Sequence, residues 1–474
     1  MDKIAVIGGL GALSGADLFF KLLKNKTAIK NQMHYHFIFE QQPYSQIKSA
    51  LFEEQDIKSR KFYTFNLCKN FEQQKVSKVL LPCFASHSFL DELQKETLTS
   101  IVNIFDAITH YLSLKFKKGT KIGVLTSSFV KESSLLKTYL QDYELIYPTN
   151  QTQLMHAIYG KSGIKNGYLD GLPLEYVYEA CTELKANGCE VILPCITEIA
   201  LLANKLWTRG ISIIDVNEIY ADYALSQGST PQPKPFKLGI VGGVGPSATV
   251  DFMNKIIQST PAKKDQDHIK MIVEQNPQIP DRTANLIYNQ TDPTIALFST
   301  CKKLEAAGSN AIAIPCNTAH AFVKEIQEHL NVPIVNMITT TAEYILENFG
   351  KETNVGLLAT SGTIQSQVYY NVLTHYGLQV VIPDDTHQND VMESIYGDRG
   401  VKAGYTDGLC KEQINKSVNH LIKRNAQVII LGCTELPLLF PETNAFRDNK
   451  TAVELVDPTL ILAKTVVHLA TSNL

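Results

Sequence analysis

The two halves of the chain are copies of one another, which limits the folds that the sequence can adopt. Three pairs of segments match at offsets of 233 to 237 residues: Ile7–Gly11 with Val241–Gly245, Pro82–His87 with Pro315–His320, and Ile158–Gly171 with Ile395–Gly408. Offsets that drift slowly over such a span indicate a tandem duplication with small insertions. Whatever fold one repeat forms, the chain should therefore form it twice.

A proline-rich stretch separates the two copies. Residues 229–236 hold three prolines among polar neighbours, a composition typical of a stiff, extended linker. We therefore place the first repeat at residues 1–228 and the second at residues 237–474. Each repeat is larger than a usual domain, so we expect two lobes in each.

Segments of strand length alternate with helix-length amphipathic segments in both repeats. The eight strand candidates of the second repeat are Lys237–Val241, Ile269–Gln275, Ala311–Pro315, Pro333–Met337, Asn354–Thr360, Gln379–Pro383, Gln427–Gly432 and Val453–Asp457. The first repeat gives the same eight, from Lys3–Ile7 to Ile211–Val216. This alternation predicts an α/β fold with two doubly wound parallel sheets in each repeat.

The composition narrows the class of protein. Hydrophobic residues make up 44% of the chain, charged residues 19%, and the net charge is −3, so no basic surface for nucleic acid or an anionic membrane is indicated. The N-terminus lacks the pattern of a signal peptide and no apolar run reaches membrane-spanning length, so we expect a cytoplasmic protein. Nine cysteines, an odd number, argue against a disulfide framework.

Two cysteines of the second repeat follow apolar, β-branched runs. Cys316 comes after Ile312–Pro315 and Cys433 after Val428–Gly432, so each thiol should lie where a buried strand ends and a helix begins. Open α/β sheets bind ligands at this edge, and a helix N-terminus favours a thiolate. Two such cysteines suggest two-base chemistry. The alternative is that both are buried apolar cysteines, which the polar residues beside them disfavour.

A metal site is a weaker interpretation of one of these segments. Cys316 and His320 stand four residues apart and could share an ion, but no second pair of ligands is visible in the sequence. We therefore predict no metal, and we expect His320 to support the helix packing.

The glycine-rich start of the second repeat allows a competing interpretation. Residues Gly243–Ala248 satisfy the pattern G-x-G-x-x-A, and Glu274 ends the next strand, as in a dinucleotide-binding fold. This oxidoreductase hypothesis ranks second because it leaves both cysteines unexplained and places Pro246 in the phosphate turn.

Three motifs of the second repeat resemble those of a known family. Gly242–Thr249, Pro315–His320 and Gly432–Glu435 are similar to the cofactor-independent aspartate/glutamate racemases, in their aspartate racemase branch, from Lys237 to about Ser472. The resemblance implies two pseudo-symmetric lobes with the active site between them and one catalytic cysteine from each lobe. It also implies no cofactor and a free amino acid as the small-molecule substrate.

The chemistry of racemisation agrees with this resemblance. Inversion of an α-carbon requires removal of a proton from one face and delivery of a proton to the opposite face, so two acid/base groups must flank the substrate. A thiolate can act as the base while the opposing thiol acts as the acid. The two roles exchange for the other enantiomer, and the sequence does not assign either cysteine to one enantiomer.

Two cationic residues are candidate substrate anchors. Arg282 can grip a carboxylate with two parallel hydrogen bonds, and by resemblance it should bind the side-chain carboxylate of aspartate or glutamate. Lys402 resembles the family's second charged residue that anchors the substrate. Without the family motif, a solvated surface charge would be the better interpretation of each.

Polar residues beside the cysteines complete the candidate site. Asn317, Thr318 and Thr434 can donate to the α-carboxylate or the developing enediolate, or else cap helices. Thr360 and Thr363 stand in a turn that resembles the family's small hydroxyl-rich anion loop, although a turn rich in small residues has the same composition.

The first repeat lacks most of these groups. Cys83 remains, but the aligned substitutions are Phe84-Ala85 for Asn317-Thr318, Ile196 for Cys433 with Cys195 one residue early, Lys48 for Arg282, and Phe129 or Val130 for Thr363. Only Lys165, the counterpart of Lys402, clearly persists. A shift of one residue moves a thiol by about 3.8 Å along the backbone, so we expect the first repeat to be inactive toward the family's substrate.

We therefore predict an amino-acid racemase whose working site is in the second repeat. A non-catalytic carboxylate-binding or regulatory protein is the alternative from another functional class. We expect no nucleic-acid or membrane partner. Family members often look dimeric, so an intramolecular pseudo-dimer of the two repeats and a homo-oligomer both stay open.

Overall fold

A computed structural model divides the chain into two compact units, Met1–Lys234 and Pro235–Leu474. The structure describes residues 2–42, 44, 54–226, 235–440, 445–448 and 451–472. The predicted linker at 229–236 lies outside the described residues except for its last two, and so does Lys48.

The first unit contains two parallel sheets. Its strands are β1 (Asp2–Ile7), β2 (Tyr35–Glu40), β3 (Lys78–Leu80), β4 (Ser100–Val102), β5 (Lys121–Thr126), β6 (Glu144–Ile146) and β7 (Val191–Cys195). They form one sheet in the order β2-β1-β3-β4 and another in the order β6-β5-β7. Strands β1, β3 and β7 are largely or wholly buried, as strands covered on both faces should be.

Helices connect these strands and cover both faces of the sheets. They are α1 (Ala12–Lys24), α2 (Lys26–Lys30), α3 (Glu54–Gln73), α4 (Leu90–Glu96), α5 (Ile104–Lys115), α6 (Ser128–Glu132), α7 (Leu135–Tyr139), α8 (Gln151–Tyr159), α9 (Leu172–Ala186), α10 (Ala203–Thr208) and α11 (Val216–Ser226). Leu18 and Leu22 of α1, for example, pack in one hydrophobic cluster with Ile4 and Val6 of β1. The helices thus bury the apolar faces that the strand pattern predicts.

The second unit repeats this arrangement. Its strands are β8 (Lys237–Gly242), β9 (Lys270–Gln275), β10 (Ala311–Ala313), β11 (Ile334–Val335), β12 (Asn354–Ala359), β13 (Gln379–Val381), β14 (Val428–Gly432), β15 (Ala445–Asp448) and β16 (Thr451–Val456). One sheet has the order β11-β10-β8-β9 and the other has the order β13-β12-β14-β16-β15. The α/β class and the tandem organisation predicted from the sequence are confirmed.

The helices of the second unit again lie between the strands. They are α12 (Pro246–Ser259), α13 (Arg282–Tyr288), α14 (Thr294–Ala306), α15 (Val323–Gln327), α16 (Met337–Phe349), α17 (Ser361–Gln365), α18 (Val368–His375), α19 (Asp385–Tyr396), α20 (Leu409–Lys423) and α21 (Pro458–Ser472). Among the described residues of both units, no helix is both long and apolar enough to cross a membrane.

Two strands differ from the prediction. The last candidate of the first repeat, Ile211–Val216, is reduced to an isolated bridge between Ile192 and Ile213. In the second unit, β15 pairs antiparallel with β16 at the sheet edge, and the sequence analysis missed it. Its sequence AFRD has only two apolar residues, too few to show a strand periodicity.

An ion triad joins the two lobes within each unit. In the second unit, Lys255 of α12 pairs with Asp251 on the same helix and, at 2.6 Å, with Asp457 at the start of α21. In the first unit, Lys21 pairs with Asp17 at 2.6 Å and with Asp215 at 2.7 Å. In the first unit, the triad thereby ties α1 to the residue before α11. In the second unit, it ties α12 to the residue before α21.

Removal of the central cation should destabilise the second unit. Lys255→Met leaves two partly buried carboxylates facing one another, and we expect the free energy of unfolding to fall by about 1–3 kcal/mol. Urea denaturation followed by circular dichroism measures this. The control is Lys302→Met, which removes an exposed cation that pairs with Glu305 and should change stability by at most about 1 kcal/mol. Equal effects of the two substitutions would contradict a structural role for the triad.

Candidate active site

A small cavity in the second unit brings together nearly all the predicted site residues. It lies beyond the carboxyl ends of β10, β12 and β14, where an open α/β sheet binds ligands. The lining residues are Val244, Arg282, Thr283, Cys316, Asn317, Thr318, Thr360, Tyr396, Lys402, Cys433, Thr434 and Glu435. Both candidate thiols thus face one enclosed space, and each comes from a different sheet of the unit.

Cys433 is held as a thiol by its neighbour two residues on. Its Sγ donates to Oε2 of Glu435 at 2.9 Å, and the hydroxyl of Thr434 donates to the same oxygen at 3.2 Å. Burial and the negative charge of Glu435 raise the pKa of Cys433 well above its usual value. Cys433 is therefore a proton donor in this arrangement.

Lys402 balances the charge of Glu435. Its ammonium lies 3.5 Å from Oε1 of Glu435 and 4.8 Å from the centre of the Tyr396 ring. Burial opposes its charge, but Glu435 and Tyr396 outweigh burial and raise the pKa of Lys402 above its ordinary value. Burial also raises the pKa of Tyr396 to about 12, so the phenol is neutral and Lys402 is charged at neutral pH.

The glycine-rich turn is shaped around Glu435. Gly245 has a φ of +117°, and a Cβ built on it would lie 2.8 Å from Oε1 of Glu435. The start of α12 is therefore next to a carboxylate, which would repel the pyrophosphate of a dinucleotide. Glu274, the candidate ribose ligand, instead forms an ion pair with Lys303 at 2.6 Å. Both observations disfavour the oxidoreductase hypothesis.

Arg282 stands at the first turn of α13 and is only 7% exposed. Its Nη1 donates to the carbonyls of Ile279 at 3.3 Å and Pro280 at 3.1 Å, and its side chain is within hydrogen-bonding reach of Cys316. Its Nε has no partner among the described residues. The guanidinium is thus oriented by backbone oxygens, and its Nε is available to another acceptor.

Asn317 offers a second buried donor. The hydroxyl of Tyr369 donates to its Oδ1 at 2.6 Å, and its Nδ2 has no partner among the described residues. The side chain makes no capping hydrogen bond to the turn that follows. An unsatisfied donor in a polar cavity is costly unless a ligand accepts from it. The free Nδ2 therefore favours a ligand with an anionic or carbonyl group at this position.

Four threonine hydroxyls form a chain beside Asn317. Thr318 lies 3.2 Å from Thr360 and 2.8 Å from Thr363, and Thr283 donates to Thr360 at 3.1 Å. Thr360 also caps α17 by accepting from the backbone N–H of Thr363. Thr363 is fully buried and lies behind Thr318 and Thr360 instead of lining the cavity, which places it in a supporting position.

His320 has no ring nitrogen free for a metal. Its Nδ1 lies 2.9 Å from the carbonyl of Cys316, and its Nε2 accepts from the backbone N–H of Met337 at 3.0 Å. Burial lowers its pKa to about 4, so the ring is neutral. His320 therefore fixes the backbone of Cys316 against α16.

Another group of potential metal ligands lies outside the cavity. Among the described residues, Asp384, His387 and His420 place ligand atoms within 4.8 Å of one another. Asp384 already accepts from the backbone N–H and the Nδ1 of His387, as the cap of α19. The cluster is explained by this capping and by stacking of the two imidazole rings at 3.9 Å.

The sequence analysis missed three polar lining residues. Glu435 stands in the Cys433 motif and Tyr396 in one of the repeated segments, so both were visible but were given no role. Thr283 follows Arg282, and apart from this neighbour nothing in the sequence marks it as a site residue. Their importance comes from burial and charge compensation, which only the folded unit shows.

In the first unit, the corresponding strand ends are arranged differently. Cys83 follows β3 and lies 3.1 Å from the hydroxyl of Ser86, whereas Cys195 is fully buried at the end of β7. Burial raises the pKa of Cys195 far above its usual value. The ring of Phe84 packs edge-on against Phe105. Ile196, which aligns with Cys433, lines a separate cavity of the first unit.

Comparisons with known proteins relate the chain to amino-acid racemases. The family model described as Asp/Glu/Hydantoin racemase matches residues 7–224 and 241–466. The broad specificity amino-acid racemase RacX of Bacillus subtilis (strain 168) is 29% identical over 237 residues, which are 48% of this chain and 96% of the relative. Among solved structures, an aspartate racemase of Picrophilus torridus is 32% identical, with a TM-score of 0.43 over 50% of this chain and 94% of its own.

A charge-neutral substitution next to Cys433 tests the electrostatics of the cavity. Glu435→Gln removes the negative charge but leaves Lys402, so the pKa of the Cys433 thiol should fall. The measurement is the pH dependence of iodoacetamide alkylation, followed by peptide mass spectrometry, in which the midpoint for Cys433 moves to lower pH. Glu454→Gln is the control, because Glu454 bonds to Tyr344 outside the cavity. A midpoint that stays unchanged or rises in Glu435→Gln would refute this description of the site.

Proposed function

Because the chain belongs to the Asp/Glu/hydantoin racemase family, we propose that it is an amino-acid racemase whose second unit inverts aspartate without a cofactor. Cys316 and Cys433 are the two acid/base groups. The observation that carries the proposal is the meeting of two thiols with two unpartnered buried donors, Nε of Arg282 and Nδ2 of Asn317, in one cavity. Such donors fit a small anion better than an apolar ligand.

The charges of the cavity suit an acidic amino acid. The lining contains two cations, Arg282 and Lys402, and one carboxylate, Glu435, so its net charge is +1 while both cysteines are thiols. Aspartate, with two carboxylates and one ammonium, has a net charge of −1. Arg282 takes the side-chain carboxylate as a bidentate partner, and Glu435 is placed to attract the ammonium group.

The α-carboxylate binds near the amide and hydroxyl groups of the lining. Nδ2 of Asn317 and the hydroxyls of Thr318 and Thr434 can donate to it. Removal of the α-proton moves negative charge onto this carboxylate as an enediolate, and preorganised donors stabilise that charge more than they stabilise the ground state. Thr360 and Thr363 support this function by fixing the orientation of Thr318.

The two sulfurs have unlike surroundings, which suggests their roles in one direction of the reaction. Cys316 as a thiolate, beside the Arg282 guanidinium, removes the α-proton and becomes a thiol. Cys433, which enters the step as a thiol, delivers its proton to the opposite face and becomes a thiolate near Lys402. The electron pair of the C–H bond passes into the enediolate and returns to form the new C–H bond, so the step is balanced. The reverse reaction begins from the opposite protonation states.

A cofactor-free assay tests the proposal directly. The purified chain should interconvert L- and D-aspartate, followed by circular dichroism, with no added cofactor, and glutamate serves as the parallel substrate. A protein that binds aspartate without changing its optical activity would be a carboxylate-binding protein instead. Faster turnover of glutamate would retain the mechanism but overturn the assignment of aspartate.

Each cysteine of the second unit should be indispensable. We expect Cys316→Ser and Cys433→Ser to lower kcat by about 100- to 10,000-fold, because a serine hydroxyl is too weak an acid to yield a base at neutral pH. The matched controls are Cys83→Ser and Cys195→Ser in the first unit, which should keep near-normal turnover. Near-normal turnover in either second-unit variant would rule out the two-base mechanism. A large loss in the folded control variants would place a working site in the first unit.

The role of Arg282 depends on its shape as well as its charge. Arg282→Lys keeps a cation but loses the planar fork, and we expect kcat/KM for aspartate to fall by about 30-fold or more. The control is Arg424→Lys, because Arg424 donates to the carbonyl of Ile382 on an exposed surface. Unchanged kinetics for aspartate in Arg282→Lys would show that another group anchors its side chain.

A further inference from the structure

The first unit has a cavity of its own at the ends of β3 and β7. Arg60, Cys83, Tyr159, Lys165, Cys195 and Glu198 line its inner part, which is small. An outer part shares Tyr159, Lys165 and Glu198 with the inner part and opens to the surface. The cavity is therefore accessible to a small molecule from solvent.

Arg60 is a buried cation without a carboxylate partner among the described residues. It is 3% exposed, its Nη1 lies 3.4 Å from Sγ of Cys83, and its Nε has no partner in the part of the chain that the structure describes. The guanidinium also lies 5.6 Å from the centre of the Tyr44 ring. A buried charge is stable only when it is compensated, and a thiol and a phenol ring compensate it poorly.

Arg60 is not the sequence counterpart of Arg282. The matched segments of the repeats differ by 233 to 237 positions, whereas Arg60 precedes Arg282 by 222. It projects from the long helix α3, and Arg282 begins the short helix α13. A guanidinium thus lies beside the first cysteine in both units, but different positions of the repeat supply it.

Three further groups of the second site are retained in the first unit. Lys165 pairs with Glu198 and lies 5.4 Å from the centre of the Tyr159 ring, as Lys402 does with Glu435 and Tyr396. Lys165 also donates to the carbonyl of Leu10 at 3.2 Å. Because Glu198 balances Lys165, the charge of Arg60 is left over and the lining has a net charge of +1.

Cys195 lines this cavity together with Cys83, but it is fully buried and stands one residue before the position aligned with Cys433, so the two thiols are arranged differently from those of the second unit. Ile196 occupies the place of the second thiol, and Phe84 and Ala85 replace the amide and hydroxyl donors. We propose that the first unit binds a small carboxylate anion at Arg60, with Lys165 beside it, and does not racemise it. The proposal is independent of whether the second unit turns over aspartate.

Calorimetric titration of the full chain tests this site. Arg282→Met removes the anchor of the second unit, and the probes for this variant are L-aspartate, acetate, benzoate and inorganic phosphate. At least one carboxylate should saturate at one molecule per chain. Adding Arg60→Met should weaken its binding by about 10- to 100-fold, because a hydrogen-bonded charge is lost. The control is Arg209→Met in the same background, since Arg209 pairs with Glu175 on the surface.

A second measurement needs no substitution. A carboxylate bound at Arg60 lies next to Cys83, so the same probe should slow the alkylation of Cys83 in the wild-type chain, as peptide mass spectrometry detects. Cys189, which is 7% exposed and does not line this cavity, is the internal control. Absence of saturation by every carboxylate, binding of phosphate alone, or binding that Arg60→Met leaves unchanged would each overturn the proposal.

Discussion

The buried carboxylate of Glu435 is the interaction on which the second site depends. It is the common acceptor for Cys433 and Thr434, and it pairs with Lys402. A charge in so enclosed a place persists only with such partners, and each partner is in turn oriented by it. The glycine-rich turn follows from the same constraint, because a side chain at Gly245 would collide with this carboxylate.

The two units show which parts of this network can change independently. The first unit retains the lysine, glutamate and tyrosine, and Glu198 again lies next to a glycine turn, 2.6 Å from a Cβ built on Gly11. Its second thiol, Cys195, is one residue early and fully buried, and the donors beside the first thiol are replaced by Phe84 and Ala85. Both units therefore retain the charge-compensated glutamate in the cavity lining, whereas the residues for proton transfer differ between them.

Much of this organisation was predictable from the sequence, for identifiable reasons. Long buried strands give continuous apolar runs, so Cys316 and Cys433 could each be placed at the carboxyl end of a strand. That these two strand ends belong to different sheets and face one cavity was implied only by the family resemblance. Arg60 could not be found in this way, because it stands on a helix outside every motif. Nothing in the local sequence shows that its side chain lines a cavity. The edge strand Ala445–Asp448 and the weakened end of the first repeat likewise depend on pairing partners that local sequence does not encode.

Hydrogen transfer in deuterated water tests the central claim, that two thiols act on opposite faces of one α-carbon. The chain is given L-aspartate in D₂O, and both enantiomers are analysed for deuterium at the α-carbon during the first few per cent of conversion. The account predicts D-aspartate labelled with deuterium while the remaining L-aspartate stays unlabelled, because the donor thiol exchanges with solvent and the opposite thiol accepts the substrate proton. D-aspartate that retains the substrate's own proton would show a single base and contradict the account.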